Sequence, residues 1–202
     1  MTTEKTGKVA AVTLSFWILK VLATSAGDLT GDLLSISLGL GYVLALIVAL
    51  AVTAALLFAQ LRAKRFHPGL YWILILATSA AGAEISDSID RALHWGNLAG
   101  TGALLLCLCA ALAIWRARRG AIRCDSIEHP RDERFYWLAA MLANSFGSAV
   151  CDLIGDRLGV GVLAGTAVNL GILALLMLLH DTTRGRKELL FWTAFVFTRI
   201  PF

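Results

Sequence analysis

The chain has 202 residues, of which 58% are hydrophobic, and its mean hydropathy is +0.74. Soluble globular domains average about 45–50% apolar residues, so this composition excludes an ordinary soluble domain and points to the lipid bilayer as the main partner. The formal net charge is +4, but the basic residues lie in short loops without a nucleic-acid-binding motif, so we expect no nucleic-acid partner.

Six apolar stretches are each long enough to cross the hydrocarbon core, which takes about 20 helical residues. In chain order they cover residues 9–32, 40–61, 69–90, 97–115, 135–156 and 158–179. A seventh stretch, residues 189–202, is shorter. The sequence therefore predicts an all-α integral-membrane bundle of about seven spans, forming a single transmembrane domain over residues 1–202.

An aromatic residue followed by Trp recurs four times along the chain, at Phe16-Trp17, Tyr71-Trp72, Tyr136-Trp137 and Phe191-Trp192. Glycine lies ten residues after each of the first three Trp, as Gly27, Gly82 and Gly147, and Asp lies fifteen after, as Asp32, Asp87 and Asp152. A polar residue lies seven after each Trp, as Thr24, Ser79, Asn144 and Arg199. These coincidences predict tandem two-helix repeats over residues 8–65, 66–130, 131–185 and 186–202, with the fourth incomplete.

The basic residues predict the topology. Lys and Arg concentrate before the first stretch, after the second, between the fourth and fifth, and between the sixth and seventh, whereas the opposite side has only Arg91 and Arg157. The positive-inside rule therefore places the N-terminus in the cytoplasm. We then expect the Trp of each repeat to be an interface aromatic near the cytoplasmic surface: Trp17, Trp72, Trp137 and Trp192. The first stretch also has the layout of a signal peptide, but its place in the repeat favours a span.

Acidic residues lie near the opposite ends of the odd-numbered stretches, and they are the candidate ion- or proton-binding groups: Asp28, Asp32, Glu84, Asp87, Asp152 and Asp156. Their spacings of three or four residues place the members of each pair on one helix face. Ionisable groups within a membrane are costly and usually face an interior or a water-filled path. This favours an ion-handling cavity where the repeats meet, and the alternative is that the acids are solvated helix ends.

Two basic residues interrupt apolar stretches. Lys20 lies about eleven residues into the first stretch and Arg199 eleven into the last, so we interpret them as intramembrane countercharges. The alternative is ion pairing that only fixes helix packing. The polar lining of the site would consist of Thr24, Ser79 and Asn144. We interpret the glycines of the repeat as kink positions that loosen each helix before its acidic residues: Gly27, Gly82 and Gly147.

The Cys and His spacings indicate neither a zinc site nor a disulfide framework, and no nucleophile, phosphate-loop or cofactor motif is present in the sequence. We therefore expect no enzyme and no cofactor, and the identity of any bound metal is left open. The function that this pattern favours is a transporter or channel for a proton or a divalent cation. The alternative is a structural or regulatory membrane protein that transports nothing.

The aromatic-Trp pairs, the run of residues 23–28 and Asp32 resemble a family of bacterial integral-membrane proteins built from four tandem repeats of unknown function. In that family each repeat is two transmembrane helices with a characteristic Trp. The resemblance extends from Lys8 onward and implies eight spans in the bacterial inner membrane. This chain departs from the pattern because its fourth repeat is short, so a site formed by all four repeats would need a homo-oligomer to complete it. The resemblance implies no activity.

Overall fold

The computed structural model describes residues 7–120, 122, 127, 129–158, 162–182 and 187–199. These residues form seven α-helices and no strand: α1 (Leu14–Asp32), α2 (Gly41–Arg62), α3 (Pro68–Asp87), α4 (Asn97–Arg119), α5 (Pro130–Leu158), α6 (Val162–Thr182) and α7 (Lys187–Val196). A π-helical turn extends α1 over Leu33–Ser37, and another extends α3 over Ser88–Ala92. The all-helical prediction is confirmed for the described residues.

Four helical stretches are long and apolar enough to cross a membrane: Gly41–Arg62, Pro68–Ala92, Asn97–Arg119 and Pro130–Gly155. The described apolar part of α6 is the shorter stretch Gly165–Leu176. Helix α1 has 19 residues but includes three charged side chains, and α7 has 10 residues. Four of the predicted spans are therefore present as helices of spanning length and composition.

Local chemistry determines where several helices begin and end. The Thr13 hydroxyl accepts a hydrogen bond from the Phe16 amide at 3.3 Å and thereby caps α1. Helix α3 begins at Pro68, whose missing N–H group is not needed in a first helical turn. Helix α4 ends at Gly120, whose φ of 78° lies in the left-handed region that glycine adopts without strain.

The odd-numbered helices form the inner part of the bundle, and α2 and α4 lie outside them. Helix α3 is the most central, packing against α1, α2 and α5, while α5 also packs against α4 and α7. Helix α2 turns small residues such as Ala45 and Ala49 inward and exposes larger ones such as Leu44 and Ile47. A wide exposed apolar face on an outer helix is what lipid contact requires.

A closed ring of aromatic side chains joins the four odd-numbered helices. The aromatic residue before each Trp contacts the Trp of the next helix in the ring, with ring centroids 5.4–5.9 Å apart: Phe16 with Trp72, Tyr71 with Trp137, Tyr136 with Trp192, and Phe191 with Trp17. The last contact closes the ring, so α1, α3, α5 and α7 occupy equivalent positions around one axis. The planes of these rings are tilted by 48–56°, and aromatic pairs at such distances each add about 0.5–1.5 kcal/mol beyond the area they bury.

The ring changes the interpretation of the tryptophans. Trp17, Trp137 and Trp192 are buried between helices and Trp72 is partly buried, whereas a belt of interface aromatics would lie on the outer surface of the bundle. The interpretation as interface aromatics is therefore replaced by a role in inter-helix packing. The indole is large enough to span the gap between neighbouring helices, which is why the same residue recurs at each equivalent position.

The plus-ten glycines lie where the odd-numbered helices approach one another most closely. A Cβ atom at Gly27 would lie 2.6 Å from the Leu76 carbonyl oxygen, and one at Gly82 would lie 2.9 Å from the Ser145 amide nitrogen. At Gly147 the Val196 carbonyl oxygen would be 2.8 Å away. These glycines allow close backbone approach within continuous helices, which is a different role from the predicted kink.

Replacing Gly27 with Ala should destabilise the protein by about 1–3 kcal/mol, because the added methyl group would overlap the backbone of α3. Gly102→Ala is the matched control, since nothing lies within 4 Å of a Cβ at that helical position and alanine has the higher helix propensity. Thermal unfolding in detergent measures both. Equal stability of the two variants would contradict the close approach of α1 and α3.

Candidate functional site

The four plus-seven side chains lie together at the centre of the bundle. Each is at most 2% exposed: Thr24, Ser79, Asn144 and Arg199. They come from α1, α3, α5 and the turn that follows α7. The recurrence of a polar residue seven positions after each Trp therefore corresponds to one buried polar layer across all four inner segments. We call this set, together with Lys20, Asp28, Thr78 and Thr198, the central polar layer.

Lys20 is completely buried in the central polar layer. Its ammonium group donates a hydrogen bond to Asn144 Oδ1 at 3.0 Å and lies 3.9 Å from the centroid of the Phe195 ring. Among the described residues no carboxylate lies within ion-pair distance of it. A buried cation is costly without compensation, and here an amide oxygen and an aromatic face supply it in place of an anion.

Arg199 has the anionic partner that Lys20 lacks. Its guanidinium group, 2% exposed, forms an ion pair with Asp28 and donates a hydrogen bond to the Asn144 main-chain oxygen at 2.7 Å. The Ser79 hydroxyl lies 3.2 Å from the same Asp28 carboxylate and 3.1 Å from the Thr24 carbonyl oxygen. Asp28 therefore belongs to the central polar layer rather than to the acidic end of the bundle.

Asn144 connects the inner segments through three different groups. Its side-chain oxygen accepts from Lys20, its Nδ2 donates to Thr78 Oγ1 at 3.2 Å, and its main-chain oxygen accepts from Arg199. These contacts link α5 to α1, to α3 and to the end of the α7 segment. An amide suits the position because it offers both a donor and an acceptor.

Glu84 is a buried carboxylate beyond the central polar layer. It is 0% exposed, and neither of its oxygens has a hydrogen-bond partner among the described residues. Its Oε1 lies against α1, where a Cβ at Gly31 would be only 3.1 Å away. The Ser35 hydroxyl lies beside it but donates to the Gly31 carbonyl oxygen at 3.0 Å. An ionised carboxylate in this position would lose its hydration, and among the described residues the Ser35 hydroxyl is the donor beside it.

Two other acids lie near Glu84. Asp32 and Asp87 are close enough to interact with Glu84 electrostatically; Asp32 is exposed, and Asp87 lies 3.4 Å from Arg91. Asp152 accepts a weak hydrogen bond from Ser86 at 3.5 Å, and the Asp156 side chain lies outside the described residues. Among the described side chains, Asp32, Glu84 and Asp87 thus form one acidic group from α1 and α3. No three described His, Cys, Asp or Glu side chains are arranged to hold a metal ion.

Comparison with known protein families identifies the repeat. Residues 15–66 and 70–121 each match the family model described as Repeat of Unknown Function (DUF347), and together they cover just over half of the chain. The two matches are offset by 55 residues, which is the spacing of Trp17 and Trp72. The chain belongs to this DUF347 repeat family. No curated protein and no solved structure matches the chain.

The two matched DUF347 repeats share a feature that the sequence analysis did not identify. Each repeat contains a π-helical turn directly after its plus-fifteen aspartate, Leu33–Ser37 after Asp32 and Ser88–Ala92 after Asp87. π-Helical turns are rare and are frequently found at functional sites. Both turns flank the buried Glu84, so the irregular backbone of the two repeats coincides with the isolated carboxylate.

Sequence analysis also missed a buried ion pair at the Trp end of the bundle. Glu133, fully buried, accepts from Lys8 at 2.9 Å and from Gln60 at 3.1 Å. A second Glu at the equivalent position, Glu188, pairs with Arg116 at 3.1 Å. The available signal was a Glu four residues before the third and fourth Trp of the chain.

Asp28→Asn should cost about 3 kcal/mol of stability, because it leaves the buried Arg199 guanidinium without its anion. Arg116→Gln is the matched control, since it breaks an exposed ion pair worth less than about 1 kcal/mol. Chemical denaturation in detergent measures the difference. Equal costs for the two variants would show that the Asp28–Arg199 pair is not buried in the folded protein.

Proposed function

We propose that this DUF347 protein is a multi-pass membrane protein that moves a small cation, with the proton as the best-supported cargo. The observation that carries the proposal is Glu84, a completely buried carboxylate on a helix of spanning length, neither of whose oxygens has a hydrogen-bond partner among the described residues. Ionisable groups in such positions generally belong to ion or proton pathways. The proposal involves no enzymatic step and no cofactor.

The setting of the proposal is a bilayer. We propose a bacterial inner membrane, as the family resemblance implies, with the N-terminus in the cytoplasm, as the distribution of Lys and Arg implies. Four helical stretches have the length and composition of membrane spans. We propose that α1, α6 and α7 also cross the membrane, which gives about seven spans. Exposed aliphatic side chains on the outer helices support lipid contact, for example Ile47 on α2 and Leu106 on α4.

The chemistry of Glu84 favours a proton over other cations. A proton needs only one carboxylate, and the protonated acid is neutral, which removes the cost of burying its charge. Asp32 is exposed and lies beside Glu84, so it can exchange a proton with water at the end of the bundle. A divalent ion would instead require Asp32, Glu84 and Asp87 to draw together around it.

Polar groups continue from Glu84 into the bundle. Glu84 is twelve residues after its Trp and Lys20 is three after its own, so about 14 Å of helix separates their levels. Asp28, Ser79 and Asn144 lie at intermediate levels. We propose that these side chains form the route along which the proton passes between the acidic end and the centre.

The second candidate function is structural or regulatory, with charges that only fix helix packing. The ion pair of Arg199 with Asp28 and the hydrogen bond of Lys20 with Asn144 favour it, because each joins different helices. Both candidates share the central polar layer. They differ over Glu84, which makes no hydrogen bond to another helix in the described part of the chain.

Glu84→Gln should abolish proton flux in proteoliposomes containing a pH-sensitive dye, because the amide keeps the size of the side chain but cannot exchange a proton. Glu188→Gln is the matched control and should retain flux, since Glu188 lies at the opposite end of the bundle. A parallel panel of divalent cations and the triple variant Asp32→Asn/Asp87→Asn/Asp152→Asn separate proton from metal transport.

Two outcomes would contradict the proposal. Flux that is unchanged in Glu84→Gln, with the protein monodisperse, would show that the path does not include this carboxylate. Absence of any flux from the wild-type protein in sealed, correctly oriented vesicles would favour the structural or regulatory role.

A further inference from the structure

A basic pocket lies at the other end of the bundle from Glu84, where α4 ends and α5 begins. It has a volume of about 580 Å³ and is lined by Arg118, Arg119, Arg131, Arg134, Phe135 and Leu138. None of these residues belongs to the central polar layer or to the acidic end. A volume of this size is typical of small-molecule sites, which range over about 300–1,000 Å³.

The pocket carries an excess of positive charge. Arg119 forms a two-point ion pair with Asp132, at 2.7 and 2.9 Å, and Trp115 Nε1 donates to the same carboxylate at 3.3 Å. In the described part of the chain no carboxylate pairs with Arg118, Arg131 or Arg134. Three guanidinium groups therefore line one space without a paired carboxylate among the described residues, and their planar donor geometry suits a phosphate group.

One wall of the pocket is apolar and leads along α5 towards the spanning part of the bundle. Phe135 is stacked on Trp115, with ring centroids 6.1 Å apart and planes 12° from parallel, so its position is fixed. Leu138, nearly one turn further along, remains 42% exposed. The ligand that fits this arrangement has an anionic head and an apolar tail.

We infer that this pocket binds the phosphate headgroup of an anionic phospholipid, with an acyl chain lying along Phe135 and Leu138. The arginines lie at the end of spanning-length helices, which is the depth of lipid headgroups if these helices cross the bilayer. The inference depends on insertion into a bilayer but not on proton transport. Failure of the flux experiment would therefore leave it standing, and failure of lipid binding would leave the proton proposal standing.

The test is a binding titration of the full chain, purified in a neutral detergent, against short-chain phosphatidylglycerol, phosphatidylcholine with the same chains, and inorganic phosphate. The wild-type protein should bind phosphatidylglycerol about tenfold more tightly than phosphatidylcholine. Arg131→Gln/Arg134→Gln should remove that preference. The matched control, Lys64→Gln/Arg65→Gln, removes two exposed charges outside the pocket and should keep it.

A further variant separates a lipid from a free phosphate. Leu138→Asn should weaken binding of phosphatidylglycerol and leave binding of inorganic phosphate unchanged, because only the lipid contacts the apolar wall. If the arginine variant is not monodisperse, the single substitution Arg118→Gln and the wild-type comparison of the two lipids still decide the question.

Three results would overturn the inference. They are equal affinity of the wild-type protein for the two lipids, an equal loss of preference in the Lys64/Arg65 control, and binding of inorganic phosphate as tight as that of phosphatidylglycerol. The second would indicate general attraction by the basic end of the protein, and the third a site for free phosphate.

Discussion

The fold depends on how Asn144 and Asp28 compensate two buried cations, Lys20 and Arg199, at the point where four inner segments meet. Lys20 donates a hydrogen bond to the side-chain oxygen of Asn144, and Arg199 donates one to the main-chain oxygen of Asn144. The Nδ2 atom of Asn144 donates to Thr78. A buried charge that loses its partner is far more costly than an exposed one. The inner segments are therefore held in one relative position, and the outer helices pack around a centre whose geometry is already determined.

The DUF347 repeat explains why such a centre can be built from different residues. Each repeat supplies an aromatic pair to the closed ring, and a glycine in each of the first three allows the next inner segment to approach. Because these contacts determine the backbone positions, the residue at the plus-seven position can vary among the repeats, from Thr24 in the first to Arg199 in the fourth. Repetition thus provides the scaffold, and the departures from it at Lys20, Asp28 and Glu84 introduce buried or largely buried ionisable groups.

Much of this arrangement follows from the sequence, because spacing along a helix determines which side chains share a level. The polar layer, the helices and the first two repeats were predictable in this way. The burial of Trp17 and the close approach at Gly27 were not, because they depend on which helices become neighbours. The burial of Glu84 was also hidden, since sequence cannot show that Arg199 pairs with Asp28 or that neither Glu84 oxygen has a hydrogen-bond partner among the described residues.

The central claim is that Glu84 takes up and releases a proton inside the bilayer. Infrared difference spectroscopy of the protein in lipid vesicles measures this directly, because only a protonated carboxylic acid has a carboxyl C=O stretch. A band that changes with pH in the wild-type protein and is missing from Glu84→Gln is the expected result. A pH-difference spectrum in the carboxylic-acid region that is identical in the wild-type protein and in Glu84→Gln, or no such band in the wild-type protein, would contradict the claim.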